Sequence, residues 1–224
     1  MALQPKRWKI APTAPPDHIA RFPHLNPITV QVLYSREVRD PAEVAAFLSD
    51  GDDTANPFDL TGMPAAVTRL RRALRAGEPI AVYGDFDADG VTATVLLVQA
   101  LRALGGQVRP YIPHRVDEGY GLHKAALTQL AHEQISLVIT VDCGVRSPDE
   151  VAHAKRMGLD VIITDHHSAG PQLPEAVAVV DPKQDGGRYG LEDLAGVGIA
   201  YRLAQALLRS HRKVPVTPQE VRLE

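Results

Sequence analysis

The chain has 224 residues, a hydrophobic content of 45% and a net charge of −3, which suffice for one or two domains with a sizeable core. The overall charge does not indicate a general nucleic-acid binder, and no apolar run reaches the roughly 18 residues of a membrane span. The single cysteine, Cys143, excludes an internal disulfide framework, and with the lack of a signal-peptide pattern it predicts a cytoplasmic protein without a membrane partner.

The first 62 residues are predicted to form a basic, proline-rich N-terminal region. Residues 1–27 lack periodicity and are expected to be an arm lying over a surface or a partly ordered tail. Trp8 lies among Lys and Arg residues there, which makes this arm a candidate for contact with DNA. Helices are expected over 27–38 and, after a good start signal, over 40–48.

Residues 63–224 are predicted to form the catalytic core. Its first helix, 64–76, is basic, and its arginines are expected on a solvated face. Apolar segments then alternate with amphipathic ones, which indicates βαβ units and an α/β fold with a mostly parallel sheet and helices on both faces. Strands are predicted over 79–83, 107–112, 136–141, 159–164 and 176–180, and helices over 91–104, 122–133, 148–157 and 193–209.

An acidic segment directly follows the first predicted strand. Asp85, Asp87 and Asp89 stand at alternate positions, which lie on one side of the chain if it stays extended. Carboxylates that close repel one another, and a proton or a divalent cation relieves the repulsion. An exposed acidic turn would explain this segment equally well, so the choice depends on the later strands.

Two later strands also end in possible metal ligands. One runs into Asp142 and the other into Asp165, His166 and His167. Parallel strands bring these ends to one edge of the sheet, so we expect a metal site there. A ligand set of carboxylates with imidazole suits Mn²⁺, whereas Mg²⁺ prefers oxygen ligands alone. The large number of carboxylates indicates two ions about 4 Å apart. His166 is the expected ligand, whereas His167 is expected to face a substrate phosphate or to orient its partner.

These motifs carry a resemblance to a known family. The segments Asp85-Phe86-Asp87-Ala88-Asp89-Gly90, Asp142-Cys143-Gly144-Val145 and Asp165-His166-His167 resemble the signature motifs of the DHH phosphoesterase superfamily, in the same order. Within it, the segments 115–122 and 194–201 resemble the RecJ exonucleases. The resemblance implies metal-dependent, 5′-to-3′ hydrolysis of phosphodiester bonds in single-stranded DNA during recombination and repair. It also implies single-strand-binding protein and a helicase as partners.

The resemblance assigns roles residue by residue. It implies that Asp87, Asp89, Asp142 and His166 hold Mn²⁺ or Mg²⁺, with Asp85 as a further ligand. Asp165 is implied to be a ligand or to orient its neighbour, and His167 is implied to be catalytic. The family's last metal-binding Asp and its second domain have no counterpart up to Glu224. The chain is therefore expected to be the N-terminal part of such an enzyme, with a catalytic core that is truncated and could be inactive alone.

Other residues are candidates for substrate contact. Arg115 fits a phosphate contact or a structural pair with Glu118. Tyr120, between two glycines, fits stacking on a base or packing within its turn. Gly196 and Gly198 open a helix and could present backbone N–H groups to a phosphate, as in a helix-hairpin-helix turn, or allow close packing on the sheet.

Two rival functions remain open. One is another DHH phosphoesterase that hydrolyses short oligonucleotides, cyclic dinucleotides or pyrophosphate, and the dependence of hydrolysis on chain length discriminates it. The other is an inactive DNA-binding fragment, which would bind DNA without metal and without turnover.

Overall fold

The chain divides into two compact units, Met1–Thr54 and Ala55–Glu224. The structure is a computed structural model that describes residues 10–49, 56–184 and 194–210. The arm around Trp8 and the predicted start of the last helix before Leu194 lie outside the described residues, as does the end of the chain beyond Ser210.

The first unit is built from short helices that share a small apolar core. They are α1 (Pro16–Ala20), α2 (Pro27–Ser35) and α3 (Pro41–Leu48), and the buried side chains between them are Phe22, Val30, Leu33 and Val44. The expected start of α3 is confirmed, because Asp40 and Glu43 form a capping box. Helix α1 was not expected. It forms within the segment predicted to be an arm, where Pro16 occupies its first position.

The second unit begins earlier than predicted. Residues 55–62 were assigned to the N-terminal region, but Leu60 is buried in the main core of the second unit and Phe58 packs against that core. A 3₁₀ turn, Pro57–Asp59, contains Phe58 and directly precedes Leu60, and the Asn56 side chain accepts a hydrogen bond from Phe58 N. Burial of these two apolar side chains explains why this segment belongs with the sheet.

A parallel sheet organises the second unit. Its strands are β1 (Ile80–Tyr83), β2 (Val108–Tyr111), β3 (Leu137–Val141), β4 (Asp160–Thr164) and β5 (Ala178–Val180). Their order is β2-β1-β3-β4-β5, and every pairing among the described strands is parallel. All residues of β1 and β3 are buried, as expected for central strands covered on both faces.

Helices cover both faces of this sheet. On one face lie α4 (Met63–Ala76), α5 (Ala88–Ala103) and α8 (Gly196–Ser210), and on the other lie α6 (Lys124–His132) and α7 (Pro148–Arg156). Alternate residues of β1 separate accordingly, with Ile80 and Val82 toward the first group and Ala81 and Tyr83 toward the second. The predicted α/β class is confirmed. Across the described ranges, each helix is too short or too polar to cross a bilayer.

The strand order creates a crevice between β1 and β3. From β1 the chain crosses through α5 to β2 on one side, and from β3 it crosses through α7 to β4 on the other. Because α5 and α7 lie on opposite faces, the helices diverge at the carboxyl ends of β1 and β3. Ligand sites of open α/β sheets form at such a switch point.

The basic helix α4 is only partly solvated, contrary to expectation. Arg69 is buried, and its Nε lies 2.5 Å from Asp160 Oδ2 and its Nη2 2.6 Å from Glu78 Oε2. The pair of carboxylates stands at the starts of β4 and β1, so Arg69 ties α4 to the edge of the sheet opposite the crevice. Arg72 approaches the same carboxylates at 3.4 and 3.8 Å but remains 64% exposed.

We expect Arg69→Met to lower the free energy of unfolding by about 2 kcal/mol, because it leaves two partly buried carboxylates without their partner. Arg72→Met is the matched control and should cost less than about 1 kcal/mol, since exposed ion pairs contribute little. Urea denaturation followed by circular dichroism measures both. Equal losses in the two variants would contradict a special role for the buried arginine.

Candidate active site

Carboxylates stand at one level beyond the sheet. Tyr83 pairs with Thr140, Thr140 with Ile163, and Thr164 with Val180. Counting on from these pairs places Asp85, Asp142, Asp165 and Asp181 side by side. Hydrogen bonds from Asp142 N to Thr164 O (3.0 Å) and from Asp165 N to Val180 O (3.1 Å) continue the pairing to that level.

Asp85 and Asp142 flank the crevice between β1 and β3. Both are buried, and the Oδ1 atom of each has no hydrogen-bond partner among the described residues. Asp142 also has a φ of 62°, a left-handed conformation that is uncommon outside glycine and that accumulates at functional sites. Buried carboxylate oxygens without donors carry an electrostatic cost that a bound cation removes.

The acidic segment after β1 does not stay extended, so the condition under which Asp85, Asp87 and Asp89 would lie on one side of the chain is not met. Helix α5 begins at Ala88, and Asp87 is its N-cap, with Oδ1 accepting from Gly90 N at 3.0 Å. Asp89 lies in the first turn instead. A Cβ at Gly90 would lie 2.6 Å from atoms of Asp85, so glycine is needed where the helix passes this side chain.

Asp89 turns toward α8. Its Oδ2 accepts a hydrogen bond from Gly196 N and its Oδ1 one from Val197 N, both at 2.7 Å. The start of α8 therefore already holds a carboxylate, and the predicted phosphate contact of Gly196 is wrong. A Cβ on Gly196 would meet Asp142 Oδ1 at 2.7 Å and one on Gly198 would meet Leu194 at 2.9 Å, which favours the close-packing alternative for both glycines.

His166 lies between these acidic groups. Its Nε2 is 2.9 Å from Asp142 Oδ1 and 3.7 Å from Asp89 Oδ2, and its side chain is 25% exposed. The 2.9 Å contact lacks the alignment of a hydrogen bond, since Asp142 Oδ1 is without a hydrogen-bond partner among the described residues. The imidazole and the carboxylate converge on a common space, as shared metal ligands do.

Asp165 is saturated with donors. Its Oδ2 accepts from Val145 N (2.9 Å), and its Oδ1 accepts from His166 N (2.8 Å) and His167 N (3.1 Å) and lies 2.7 Å from His167 Nδ1. Of the two roles left open for Asp165, this geometry favours orienting its neighbour over ligating a metal. The His167 side chain is 44% exposed, and its Nε2 atom makes no hydrogen bond to the described residues.

Candidate ligand atoms fall into two groups that share Asp142. Atoms of Asp85, Asp87 and Asp142 lie within 4.8 Å of one another, and so do atoms of Asp142, His166 and His167. Burial, then the negative charges of Asp89 and Asp87, raise the pKa of Asp142 to about 7. Burial also raises the pKa of Asp85. Both carboxylates are costly to ionise in these buried positions, and a bound divalent cation offsets that cost, so these donors fit divalent cations.

The loop between β2 and α6 overhangs this site. The guanidinium of Arg115 stacks over the Phe86 ring, 5.1 Å from its centroid, next to Asp85 and Asp87. Glu118 accepts instead from Tyr111 OH (2.6 Å) and His114 N (2.7 Å), so the alternative of a structural Arg115–Glu118 pair is wrong. The phosphate contact of Arg115 stays a prediction, now with an exposed guanidinium beside the acidic cluster.

Tyr120 lies closer to the candidate ligands than the sequence indicated. Its hydroxyl donates to Asp142 O at 3.3 Å and lies 3.2 Å from His167 Nδ1. Its ring meets the His167 ring edge-on, with centroids 5.8 Å apart. Neither stacking on a base nor simple packing of the turn describes these contacts of the hydroxyl.

Asp181 was missed by the sequence reasoning. It follows β5 directly, is 1% exposed, and has an Oδ2 atom without a hydrogen-bond partner in the described part of the chain. Its Oδ1 accepts from Lys183 N at 2.8 Å. Burial raises the pKa of Asp181 to about 6. The signal was available, because this predicted strand also ends in Asp, like the strands before Asp142 and Asp165.

Residues 79–223 match the DHH family, N-terminal domain. The chain belongs to the DHH family. The single-stranded-DNA-specific exonuclease RecJ of Bacillus subtilis (strain 168) is 44% identical to this DHH chain over 186 residues, covering 83% of this chain and 24% of that protein. The RecJ of Escherichia coli (strain K12) is 39% identical over 194 residues, covering 85% of this chain and 33% of that protein. The chain thus spans about a quarter to a third of the length of these curated relatives.

Solved structures of RecJ proteins share this DHH fold. A RecJ bound to manganese matches with a TM-score of 0.60 and 40% identity over 67% of this chain and 38% of that one. RecJ of Thermus thermophilus in complex with Mn²⁺ matches with a TM-score of 0.67 and 31% identity over 88% of this chain and 28% of that one. The same protein has also been solved with Mg²⁺. These relatives bind the two metals predicted for the acidic clusters.

We expect the metal-free chain to lose stability as the pH rises from about 4 to about 7. The raised pKa values of Asp142 and Asp181 mean that the folded state holds these protons more tightly than the unfolded state, so folding is favoured below the raised values. Between pH 5 and pH 8 the loss should be on the order of 3 kcal/mol from Asp142 and about 1 kcal/mol from Asp181. Urea denaturation in EDTA between pH 5 and pH 8 measures it.

Two variants separate the contributions to this pH dependence. Asp142→Asn should flatten the dependence and also remove the stabilisation by added Mn²⁺, whereas Asp181→Asn should flatten it and keep that stabilisation. A metal-free wild-type chain that is more stable at pH 8 than at pH 5 would show that these carboxylates are not buried with surplus charge.

Proposed function

We propose that this chain carries the metal centre of a nuclease that hydrolyses phosphodiester bonds in single-stranded DNA, with Mn²⁺ or Mg²⁺ as cofactor. The observation that carries the proposal is the pair of buried Oδ1 atoms of Asp85 and Asp142, which lack hydrogen-bond partners among the described residues at the switch point of the sheet. The similarity to RecJ exonucleases supports the choice of substrate.

The donors divide naturally between two ions. Asp85, Asp87 and Asp142 would hold one, and Asp142 with His166 would hold the other, with Asp142 shared. Asp89, close to His166 Nε2, would assist while it caps α8. When bound, the ions would neutralise phosphate charge and activate water for attack on phosphorus. The buried positions of Asp85 and Asp142 exclude bulk water from their side of the site.

The chain's own residues would orient the phosphodiester. Arg115, held over the Phe86 ring, can donate to a phosphate oxygen beside the acidic cluster. His167, fixed through Nδ1 by Asp165, offers its Nε2 edge to the same phosphate. Asp165 acts through His167 in this scheme and is a positioning residue.

The proposal also includes features implied by the resemblance to RecJ. These are 5′-to-3′ polarity, a role in recombination and repair in the cytoplasm, and contacts with single-strand-binding protein and a helicase. Their support is the identity of 39–44% to RecJ proteins over more than four-fifths of the chain.

The proposal is tested by incubating the chain with a 5′-labelled single-stranded oligonucleotide in Mn²⁺, with EDTA and with the matching duplex in parallel. We expect Mn²⁺-dependent release of mononucleotides from the single strand. Asp87→Ala should lower the rate at least about 100-fold, because it removes a ligand from the acidic cluster. Asp17→Ala, an exposed carboxylate in α1, is the matched control and should leave the rate unchanged.

Calorimetric titration with Mn²⁺ completes the test. Binding without turnover would leave the metal centre standing and assign catalysis to residues beyond this chain. Full activity in Asp87→Ala, or the absence of Mn²⁺ binding, would overturn the proposal. Preference for dinucleotides over longer single strands would favour another DHH phosphoesterase.

A further inference from the structure

The Nδ1 atom of His167 has two partners. Asp165 Oδ1 lies 2.7 Å away and the hydroxyl of Tyr120 lies 3.2 Å away. The Asp165 carboxylate already accepts from the backbone N–H groups of Val145, His166 and His167, so it faces Nδ1 as an acceptor. The ring proton of neutral His167 therefore sits on Nδ1, and Nε2 is left with its lone pair.

The hydroxyl of Tyr120 completes this arrangement. It donates its own hydrogen to Asp142 O at 3.3 Å, which leaves its oxygen free to accept from His167 Nδ1. Burial, and then the negative charge of Asp165, raise the pKa of Tyr120, so the hydroxyl keeps that hydrogen. The Tyr120 hydroxyl thus links the backbone of Asp142, which belongs to both groups of candidate ligands, to the imidazole ring of His167.

We propose that Tyr120 is a positioning residue whose hydroxyl, together with Asp165, holds the Nδ1 edge of His167 so that Nε2 faces the substrate phosphate. The substrate-facing part of this inference rests on the proposed nuclease function, whereas the hold on Nδ1 does not. The Nε2 atom makes no hydrogen bond to the residues that the structure describes, and the His167 side chain is 44% exposed, as a group that meets a substrate requires.

The loop that carries Tyr120 is built to keep it in place. Glu118 ties the loop to Tyr111 OH and His114 N, and Glu118 N donates back to His114 O at 2.8 Å. Gly119 and Gly121 flank Tyr120 with φ values of 83° and 90°, which only glycine adopts readily, so this backbone conformation requires glycine on both sides of Tyr120. A rigid turn of this kind orders the phenol before substrate arrives.

The alternative is that the half-exposed ring of Tyr120 stacks on a base, and two substitutions distinguish the roles. Tyr120→Phe removes the hydroxyl and keeps the ring, so a positioning role predicts a kcat about 10-fold lower with KM changed less than about threefold. A stacking role predicts no effect of Tyr120→Phe and a raised KM in Tyr120→Leu. Tyr34→Phe, in the first unit, is the matched control and should behave as wild type.

A double-mutant cycle tests whether Tyr120 acts through His167. In the His167→Ala background, Tyr120→Phe should cause no further loss of kcat, because the ring that it positions is gone. A full additional loss of about 10-fold in the double variant would overturn the proposal.

Nuclear magnetic resonance of the metal-free chain supplies a readout that does not depend on turnover. Long-range ¹H–¹⁵N spectra of the histidine rings should place the His167 proton on Nδ1. In Tyr120→Phe this proton should exchange with water at least about 5-fold faster, because one of its two acceptors is lost. Unchanged exchange would overturn the proposal. If the wild-type chain shows no hydrolysis, the nuclease function fails for this chain and the exchange rate alone decides the role of Tyr120.

Discussion

The candidate site depends on which of its neighbouring buried carboxylates receive backbone N–H donors. Asp165 and Asp89 are supplied with backbone N–H donors, so their charge is balanced within the fold. Asp85 and Asp142 each keep a buried oxygen without such a donor among the described residues. Asp85 and Asp142 are therefore the carboxylates for which a bound cation would relieve the greatest electrostatic cost, in line with the proposed metal centre. The order of the strands, the starts of α5 and α8, and the glycines beside Asp85 and Asp142 together maintain this distribution of donors.

Two helix termini add to this balance. Helix α5 starts beside Asp87, and α8 starts beside Asp89, so the positive ends of both helix dipoles point into the acidic edge. They moderate the repulsion without cancelling it, because the pKa of Asp142 remains raised to about 7. The protein therefore folds with its acidic groups gathered in a defined place, which is the arrangement that the proposed cation site requires.

Local patterns in the sequence were sufficient to predict the fold class and the convergence of the acidic strand ends. Apolar strands followed at once by Asp or His are a short-range signal, and parallel pairing brings their ends together. Such local patterns cannot predict contacts between segments that are distant in the sequence. The turn of Asp89 toward Gly196, the hydroxyl of Tyr120 on His167 and the burial of Arg69 all depend on how helices and loops dock. Asp181 is different, since its strand-end signal was present and was passed over.

The contact between Asp89 and Gly196 spans 107 residues and therefore affects how the protein is made. Closing a loop of that length costs about 4 kcal/mol of chain entropy, so this cap forms late and only with the packing of α8 behind it. At the usual pace of translation, about 5–20 s separates the synthesis of Asp89 from that of its partner. Through that interval the Asp89 carboxylate lacks the N–H donors of Gly196 and Val197, and its final geometry is set only when α8 arrives.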